Sequence, residues 1–251
     1  QTLDCPTGAL CWDGGGDGAS WSDAANWLGD LLPVAGDAVV LDLGGGSTVE
    51  VANGGHTVGS LFSVEGLLVS GSASLTVVGT ADFQGPLAVT GGELVLGGEA
   101  TAAELELGGG AIGGAGGLTL SGSGRWSGGR LDTTLLNQGT LVVGGGDATD
   151  LGGAGRLANQ ASGLVEKALG GPVTLGVPVD NAGGAFSDPD ATAGADLFLG
   201  AGGGHSGAFQ VREGVVHLAG GVHTFEPGAS VAGAGVLAVT GAGTQAWSDT
   251  L

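Results

Sequence analysis

The chain has 251 residues, of which 59 are glycine, and its 25 acidic and five basic residues give a formal net charge of −20. This charge excludes nucleic-acid binding through clustered cations and disfavours insertion into an anionic membrane. Collagen is excluded because the glycines follow no three-residue period, and the mean hydropathy of +0.35 is too high for a disordered chain. We therefore expect a folded protein of one large domain or two small ones.

The first 37 residues differ from the rest and predict a capping segment over 1–37, followed by a repetitive domain over 38–251. Cys5 and Cys11 lie six positions apart, which favours a disulfide in an oxidising compartment over a pair of free thiols. The start at Gln1 and the absence of methionine are typical of a mature secreted chain whose signal peptide has been removed.

Three of the five tryptophans, Trp12, Trp21 and Trp27, fall within this capping segment. Because tryptophan buries a large apolar area, we expect these side chains to close the end of the repetitive domain and to support assembly contacts. A platform on which sugar rings stack is the alternative role for these three indoles.

From residue 38 onward, short runs that alternate apolar with polar or small residues recur between glycines, a pattern that predicts half-buried β-strands. No stretch shows a sustained helical period. The predicted strands lie within 38–43, 48–52, 67–71, 74–79, 86–91, 93–98, 103–109, 118–122 and 140–146.

The runs form loose repeats, with comparable turns about 20 to 25 residues apart, which is the spacing of solenoid coils. LTLSGSGRWSGGRL (118–131) resembles LAVTGAGTQAWSDTL (237–251), and this similarity places Trp126 and Trp247 at matching positions. The glycine excess and the few large aromatics favour an all-β solenoid, in which stacked coils share one narrow core. A β-sandwich is the alternative fold, because its strands can have similar spacing.

Acidic loops predict calcium as a candidate cofactor, since carboxylates on flexible glycine-rich loops supply the oxygen ligands that Ca²⁺ requires. Solvated turns are the alternative role for these loops. The strongest candidate set is Asp188, Asp190 and Asp196, and the weaker ones are Asp13, Asp17, Asp147 and Asp150.

Other charged residues give weaker indications of a site. Glu104 and Glu106 share one face of a predicted strand and are expected to point into water. His217 and His223 flank a turn but lack a third metal ligand, while His56 and His205 are remote in sequence, so all four are expected to be exposed strand residues.

We find no sequence motif of a known catalytic class and predict that the chain is not an enzyme. A polysaccharide-active β-helix enzyme is the alternative. For that alternative, the candidate basic residues are Arg125 and Arg130, which bracket Trp126 and have only Asp132 as a nearby carboxylate.

Two stretches resemble secreted, autotransporter-like bacterial β-solenoid proteins of the cell surface. One is the N-terminal module W-x-G-G…N-W, and the other is the set of N-x-G-x-[LIV] and F-x-x-G-A-x-[LV]-x-G-x-G repeats over 137–241. The resemblance implies a right-handed parallel β-solenoid, exported to the bacterial cell surface or the medium, and no particular reaction. The residues that match the module are Trp12, Gly14, Trp21, Asn26, Trp27, Pro33, Gly36, Asp37 and Val39.

These observations favour a non-catalytic extracellular structural protein, such as a subunit of a surface filament, sheath or matrix fibre. The strand-turn rhythm continues through 236–251, so we expect another copy to dock head-to-tail on that end, with Trp247 at the contact. An adhesin or carbohydrate-binding module that recognises an extracellular polysaccharide is the alternative function. No nucleic-acid partner and no membrane insertion are expected.

Overall fold

The computed structural model describes residues 5–145, 149–190, 192, 194–241 and the backbone of 244–247. Within these residues the protein is all-β, with parallel strands arranged as a β-solenoid, as the sequence predicts. The chain divides into two compact units, 1–121 (unit 1) and 122–251 (unit 2). The predicted right-handed sense of the coil stays a prediction.

Among its described residues, unit 1 contains ten strands, one short 3₁₀ helix and the first part of an eleventh strand. The strands are β1 (Ala9–Cys11), β2 (Ala38–Leu41), β3 (Thr48–Val51), β4 (Gly55–Val58), β5 (Ser60–Ser63), β6 (Gly66–Val69), β7 (Ser74–Val77), β8 (Ala81–Val89), β9 (Glu93–Leu96), β10 (Ala100–Leu107) and β11 (Ala111–Trp126), and the helix is Ala24–Asn26.

Parallel pairing stacks these strands into three ladders, so each coil contributes one strand segment to each face. The first ladder runs β1–β2–β5–β8, with the start of β10 stacked on the start of β8. The second runs β3–β6 and the ends of β8 and β10, and the third runs β4–β7–β9 and the start of β11. Because side chains alternate across a strand, every second residue points into the shared interior.

Val49, Leu67 and Leu87 lie on three successive coils and stack on one another in the core of unit 1. All three side chains are buried. Glycine allows the chain to turn sharply between faces. At Gly92, φ is +62° and a side chain would collide with the backbone of Ala73 in the neighbouring coil, so only glycine fits.

Unit 2 contains the last part of β11 and sixteen further strands among its described residues. They are β12 (Arg130–Asn137), β13 (Thr140–Val143), β14 (Thr149–Leu151), β15 (Arg156–Gln160), β16 (Leu164–Lys167), β17 (Val173–Leu175), β18 (Val179–Ala182), β19 (Ala185–Ser187), β20 (Leu197–Leu199), β21 (Gly203–Ser206), β22 (Ala208–Val211), β23 (Val215–Leu218), β24 (Val222–Phe225), β25 (Ser230–Ala232), β26 (Val236–Val239) and β27 (Thr244–Trp247).

The strands of unit 2 also form three parallel ladders. One runs β12–β15–β18–β21–β24–β27, a second runs from the end of β11 through β13, β16, β19, β22 and β25, and the third runs β14–β17–β20–β23–β26. Coil length varies within the unit. Ser123 pairs with Thr140, 17 residues later, whereas Ala185 pairs with Gln210, 25 residues later.

All nine predicted strands are present, but the predicted equivalence of Trp126 and Trp247 is wrong. Trp126 pairs with Val143 on the ladder of β13, whereas Trp247 pairs with Phe225 on the ladder of β24. The two glycine-rich runs therefore occupy different faces of unit 2, because a similar strand-turn sequence suits any of the three faces. The side chain of Trp247 and its predicted cap and assembly role lie outside the described residues.

Candidate functional site

The predicted disulfide between Cys5 and Cys11 is present, with the two Cα atoms 5.9 Å apart. Cys11 is fully buried at the end of β1, which pairs in parallel with the first strand of the repetitive domain, β2. The cross-link therefore closes a short N-terminal loop that ends in β1, the strand that stacks on β2.

The three tryptophans of the capping segment are fully buried in unit 1. The Trp27 ring packs edge-on against Trp12, with ring centres 5.1 Å apart, and against Trp21 at 4.8 Å. Its Nε1–H donates to the Trp21 carbonyl oxygen at 2.9 Å. A sugar platform requires exposed ring faces, so this geometry favours the packing role over the carbohydrate role.

Asn26 organises the glycine-rich loop of the capping segment from a fully buried position. Its Oδ1 accepts hydrogen bonds from the backbone N–H groups of Gly16 and Gly18, at 3.0 and 2.8 Å. Its Nδ2 donates to Asp17 Oδ1 and to the Ser20 carbonyl oxygen. The Asn26 of the resembled N-terminal module thus has a structural role, which is to satisfy a tight backbone turn.

The acidic side chains of this loop accept hydrogen bonds from the backbone N–H groups of the loop itself. Backbone N–H groups of Ser20 and Ala19, together with the Asn26 side chain, lower the pKa of Asp17. Asp13 accepts a hydrogen bond from the Gly15 N–H at 3.0 Å. This geometry favours the solvated-turn role over calcium binding for Asp13 and Asp17.

Glu65 is a buried carboxylate that sequence reasoning missed. Its Oε1 accepts from the N–H groups of Leu43 and Gly45, and its Oε2 accepts from the N–H and hydroxyl of Ser47, at 2.6 to 2.9 Å. Burial opposes the charge, but these hydrogen bonds outweigh it and lower the pKa of Glu65. Glu65 therefore holds the corner loop between β2 and β3 in place.

A column of buried asparagines, Asn137, Asn159 and Asn181, occupies one inner corner of unit 2. The Nδ2 of Asn137 donates to Asn159 Oδ1 at 2.9 Å, and the Nδ2 of Asn159 donates to Asn181 Oδ1 at 3.1 Å. The same nitrogens also donate to the carbonyl oxygens of Leu164 and Ala185. Each asparagine therefore locks the side-chain register of two consecutive coils.

His205 occupies the next rung of the column, because it pairs with Asn181 across β18 and β21. Its Nε2 lies 2.9 Å from His223 Nδ1, and the two rings stack with their centres 5.2 Å apart. Both side chains are buried, so the expectation that they are exposed strand histidines is wrong. Burial, with a smaller effect from the neighbouring His223, lowers the pKa of His205 to about 4.

Lys167 also lies in the interior of unit 2, beside two of the aspartates predicted to bind calcium. Its Nζ is 3.4 Å from Asp190 Oδ2 and 3.9 Å from Asp188 Oδ1, and it donates to the Ala168 carbonyl oxygen at 2.9 Å. The third predicted ligand, Asp196, instead lies 3.0 Å from His217 Nε2.

The predicted calcium site at Asp188, Asp190 and Asp196 gains no support from this arrangement, because an ammonium group already faces two of its carboxylates. Within the part of the chain that the structure describes, no group of three or more His, Cys, Asp or Glu side chains could hold a metal ion. Asp147, a weaker candidate, lies outside the described residues. Calcium binding stays a prediction.

Of the remaining predicted residues, Glu104 and Glu106 are exposed on β10, as expected. Arg130 is exposed and forms an ion pair with Asp132 at 3.1 Å, and Arg125 is also exposed beside the buried Trp126. These four charged side chains lie on the surface. No helix among the described residues has the length and apolar character needed to cross a membrane.

The described residues of each unit line a shallow cleft. One, of about 580 Å³, belongs to unit 2 and is lined by residues 169–172, Asp190, Thr192, Gly194 and Ala195. The other, of about 500 Å³, follows the first ladder of unit 1 and includes Phe62, Asp82, Glu99 and Thr101.

Comparison with known proteins gives no relative for this arrangement. No protein-family model matches the chain, and no curated protein or solved structure matches it.

Proposed function

We propose that the chain is an extracellular structural protein, a β-solenoid subunit of a filament, sheath or matrix fibre at a bacterial surface. The observation that carries this proposal is the exposed apolar rung on the outermost described coil of unit 2. The disulfide supports an oxidising location, since such bonds persist mainly in secreted and surface proteins.

The apolar rung consists of Val231 and Val239, which occupy inward positions on β25 and β26. They pair with Phe209 and Leu218 of the preceding coil, both of which are buried. Val231 and Val239 themselves are 49% and 45% exposed. In a solenoid such a rung is normally covered by the next coil, so stacking of a further coil would extend the core.

The capping segment of a second copy is the surface that we propose for this contact. It exposes Leu28, Leu31, Leu32 and Val34, of which Leu31 is 66% exposed and Val34 is 63% exposed. A contact between two different surfaces of one protein is heterologous and can propagate into a fibre. The net charge of −20 opposes lateral association of such fibres, an effect that salt reduces.

Electron microscopy and light scattering at physiological salt test this proposal. We expect fibres from the intact chain and particles of single-subunit size from the double variant Val231→Glu, Val239→Glu. Val78→Glu is the matched control, because Val78 is an apolar residue of unit 1 that is 58% exposed. A chain that stays monomeric at high concentration, or a control that abolishes fibres equally, would contradict the end-to-end contact.

An adhesin or carbohydrate-binding role is the second candidate, favoured by the cleft of unit 1. Phe62 presents a ring there, and Asp82, Glu99 and Thr101 supply hydrogen-bonding groups, a combination that suits a saccharide. Binding of extracellular polysaccharide to the intact chain but not to Phe62→Ala would favour this role. Equal binding by Thr57→Ala, on a different ladder, is the expected control result.

A further inference from the structure

Lys167 is the only lysine in the chain, and the other four basic residues are arginines. Its side chain is fully buried at the end of β16. A buried amine is expensive unless it is paired, and a lysine amine, unlike an arginine guanidinium, is readily converted into a nucleophile. Because it is buried, this single lysine cannot serve as a surface charge.

Two carboxyl groups with contrasting environments face the Lys167 amine. The Asp188 side chain is fully buried, and its Oδ2 has no hydrogen-bond partner among the residues that the structure describes. The Asp190 carboxylate accepts hydrogen bonds from the backbone N–H groups of Gly170 and Thr192, at 2.9 and 3.0 Å. The Lys167 amine lies 3.4 Å from Asp190 Oδ2 and 3.9 Å from Asp188 Oδ1.

These environments push the two carboxyl groups toward opposite protonation states. Burial raises the pKa of Asp188, which favours its neutral acid form. Hydrogen bonds from Thr192 and the Gly170 N–H hold the pKa of Asp190 well below its usual range, which favours its carboxylate. A pair of carboxyl groups with separated pKa values can divide the roles of acid and base.

We infer that Lys167 and Asp188 form an intramolecular isopeptide bond that covalently joins two consecutive coils of unit 2, with Asp190 as the proton carrier. Glu166 pairs with Ser187, so the following residues, Lys167 and Asp188, are aligned by the same strand register. Parallel stacking thus supplies the proximity that makes such a reaction effectively unimolecular. This inference is independent of the proposed function.

The reaction balances without any oxidant or co-reactant. Asp190 takes a proton from the Lys167 ammonium, and the free Nζ then attacks the Asp188 carboxyl carbon to form the C–N bond. The C–O bond breaks as Asp190 returns the proton to the departing hydroxyl, and the new amide nitrogen then loses its extra proton to solvent. Overall, one ammonium and one neutral carboxylic acid give one amide, one water molecule and one proton, and the cleft that Asp190 lines offers the water and the proton a path to solvent.

Tryptic digestion of the denatured, reduced intact chain tests the bond directly. A free Lys167 is cleaved and yields peptides 157–167 and 168–212, because the flanking cleavage sites are Arg156 and Arg212. A linked Lys167 resists trypsin and yields one peptide, 157–212. The mass of this peptide is lower by one water molecule than the mass calculated from its sequence. Measuring the mass on this peptide also avoids confusion with ammonia loss from cyclisation of Gln1.

Variants separate the chemical roles from a purely structural role. We expect Asp188→Ala to restore cleavage after Lys167. Asp188→Asn should still form the link with loss of ammonia in place of water, and so should give the wild-type peptide mass. Asp190→Ala should slow linking and give a mixture of cleaved and uncleaved chain. Asp180→Ala, which removes the surface ion pair with Arg156, is the control that should leave the link intact.

Quantitative cleavage after Lys167 in the wild-type chain, with peptide masses equal to the sequence, would overturn the inference without reference to any variant. A link that survives in Asp188→Ala but disappears in Asp190→Ala would overturn the assignment of Asp188 as the acceptor.

Discussion

The buried His205–His223 pair predicts a loss of stability in mild acid. The pKa of His205 is about 4 in the folded protein, against 6.5 for the unfolded chain. Above pH 6.5 both states are neutral at this position and the full stability is present. Between pH 6.5 and 4 the unfolded state binds a proton that the folded state does not, so stability falls as the pH falls.

The magnitude follows from this difference in pKa. Each unit is worth about 1.4 kcal/mol, so His205 alone costs about 2 kcal/mol at pH 5 and roughly 3 kcal/mol by pH 4. Burial also lowers the pKa of His223, so its effect has the same sign, whereas the nearby Asp180 works in the opposite direction on His205.

Urea unfolding followed by circular dichroism at pH 7 and pH 5 measures the loss, and amide hydrogen exchange in β21 and β24 localises it. His205→Asn, which would continue the asparagine column from Asn181, should remove much of the pH dependence. His56→Gln is the control, since His56 lies outside the buried pair. If the wild type and His205→Asn lose equal stability between pH 7 and pH 5, the argument from burial of His205 is refuted.

Three further perturbations test other parts of the structure. Asn159→Ala should lower the unfolding free energy by about 2 to 4 kcal/mol, because Asn181 Oδ1 and the Ala185 carbonyl oxygen lose a buried donor; an unchanged urea midpoint would contradict this. Glu65→Gln should cost about 1 to 3 kcal/mol, since an amide cannot accept all four hydrogen bonds, and equal stability would show that the corner loop does not depend on the carboxylate. Reducing the disulfide should cost about 2 to 3 kcal/mol in the chain-entropy model, measured by thermal unfolding with and without reductant.

Local sequence patterns located the strands because alternation and glycine are local properties. The runs at 48–52 and 74–79 contain β3 and β7 because every second residue is apolar and the turns follow directly. The disulfide was also predictable, since Cys5 and Cys11 are the only two cysteines and lie close in sequence. Burial of the three N-terminal tryptophans was expected from their large apolar area, and the capping role of residues 1–37 stays a prediction.

The residues that stack on one another in consecutive coils could be identified only from the tertiary structure, because the coils of unit 2 vary from 17 to 25 residues in length. His223 contacts His205, although His217 is closer to it in sequence. Lys167 contacts Asp188 and Asp190, which lie on the next coil. A change of one residue in a turn reverses which side chains face inward. Turn lengths therefore fix the buried polar contacts, whereas local alternation and glycine spacing were enough to predict strands, turns and an apolar interior.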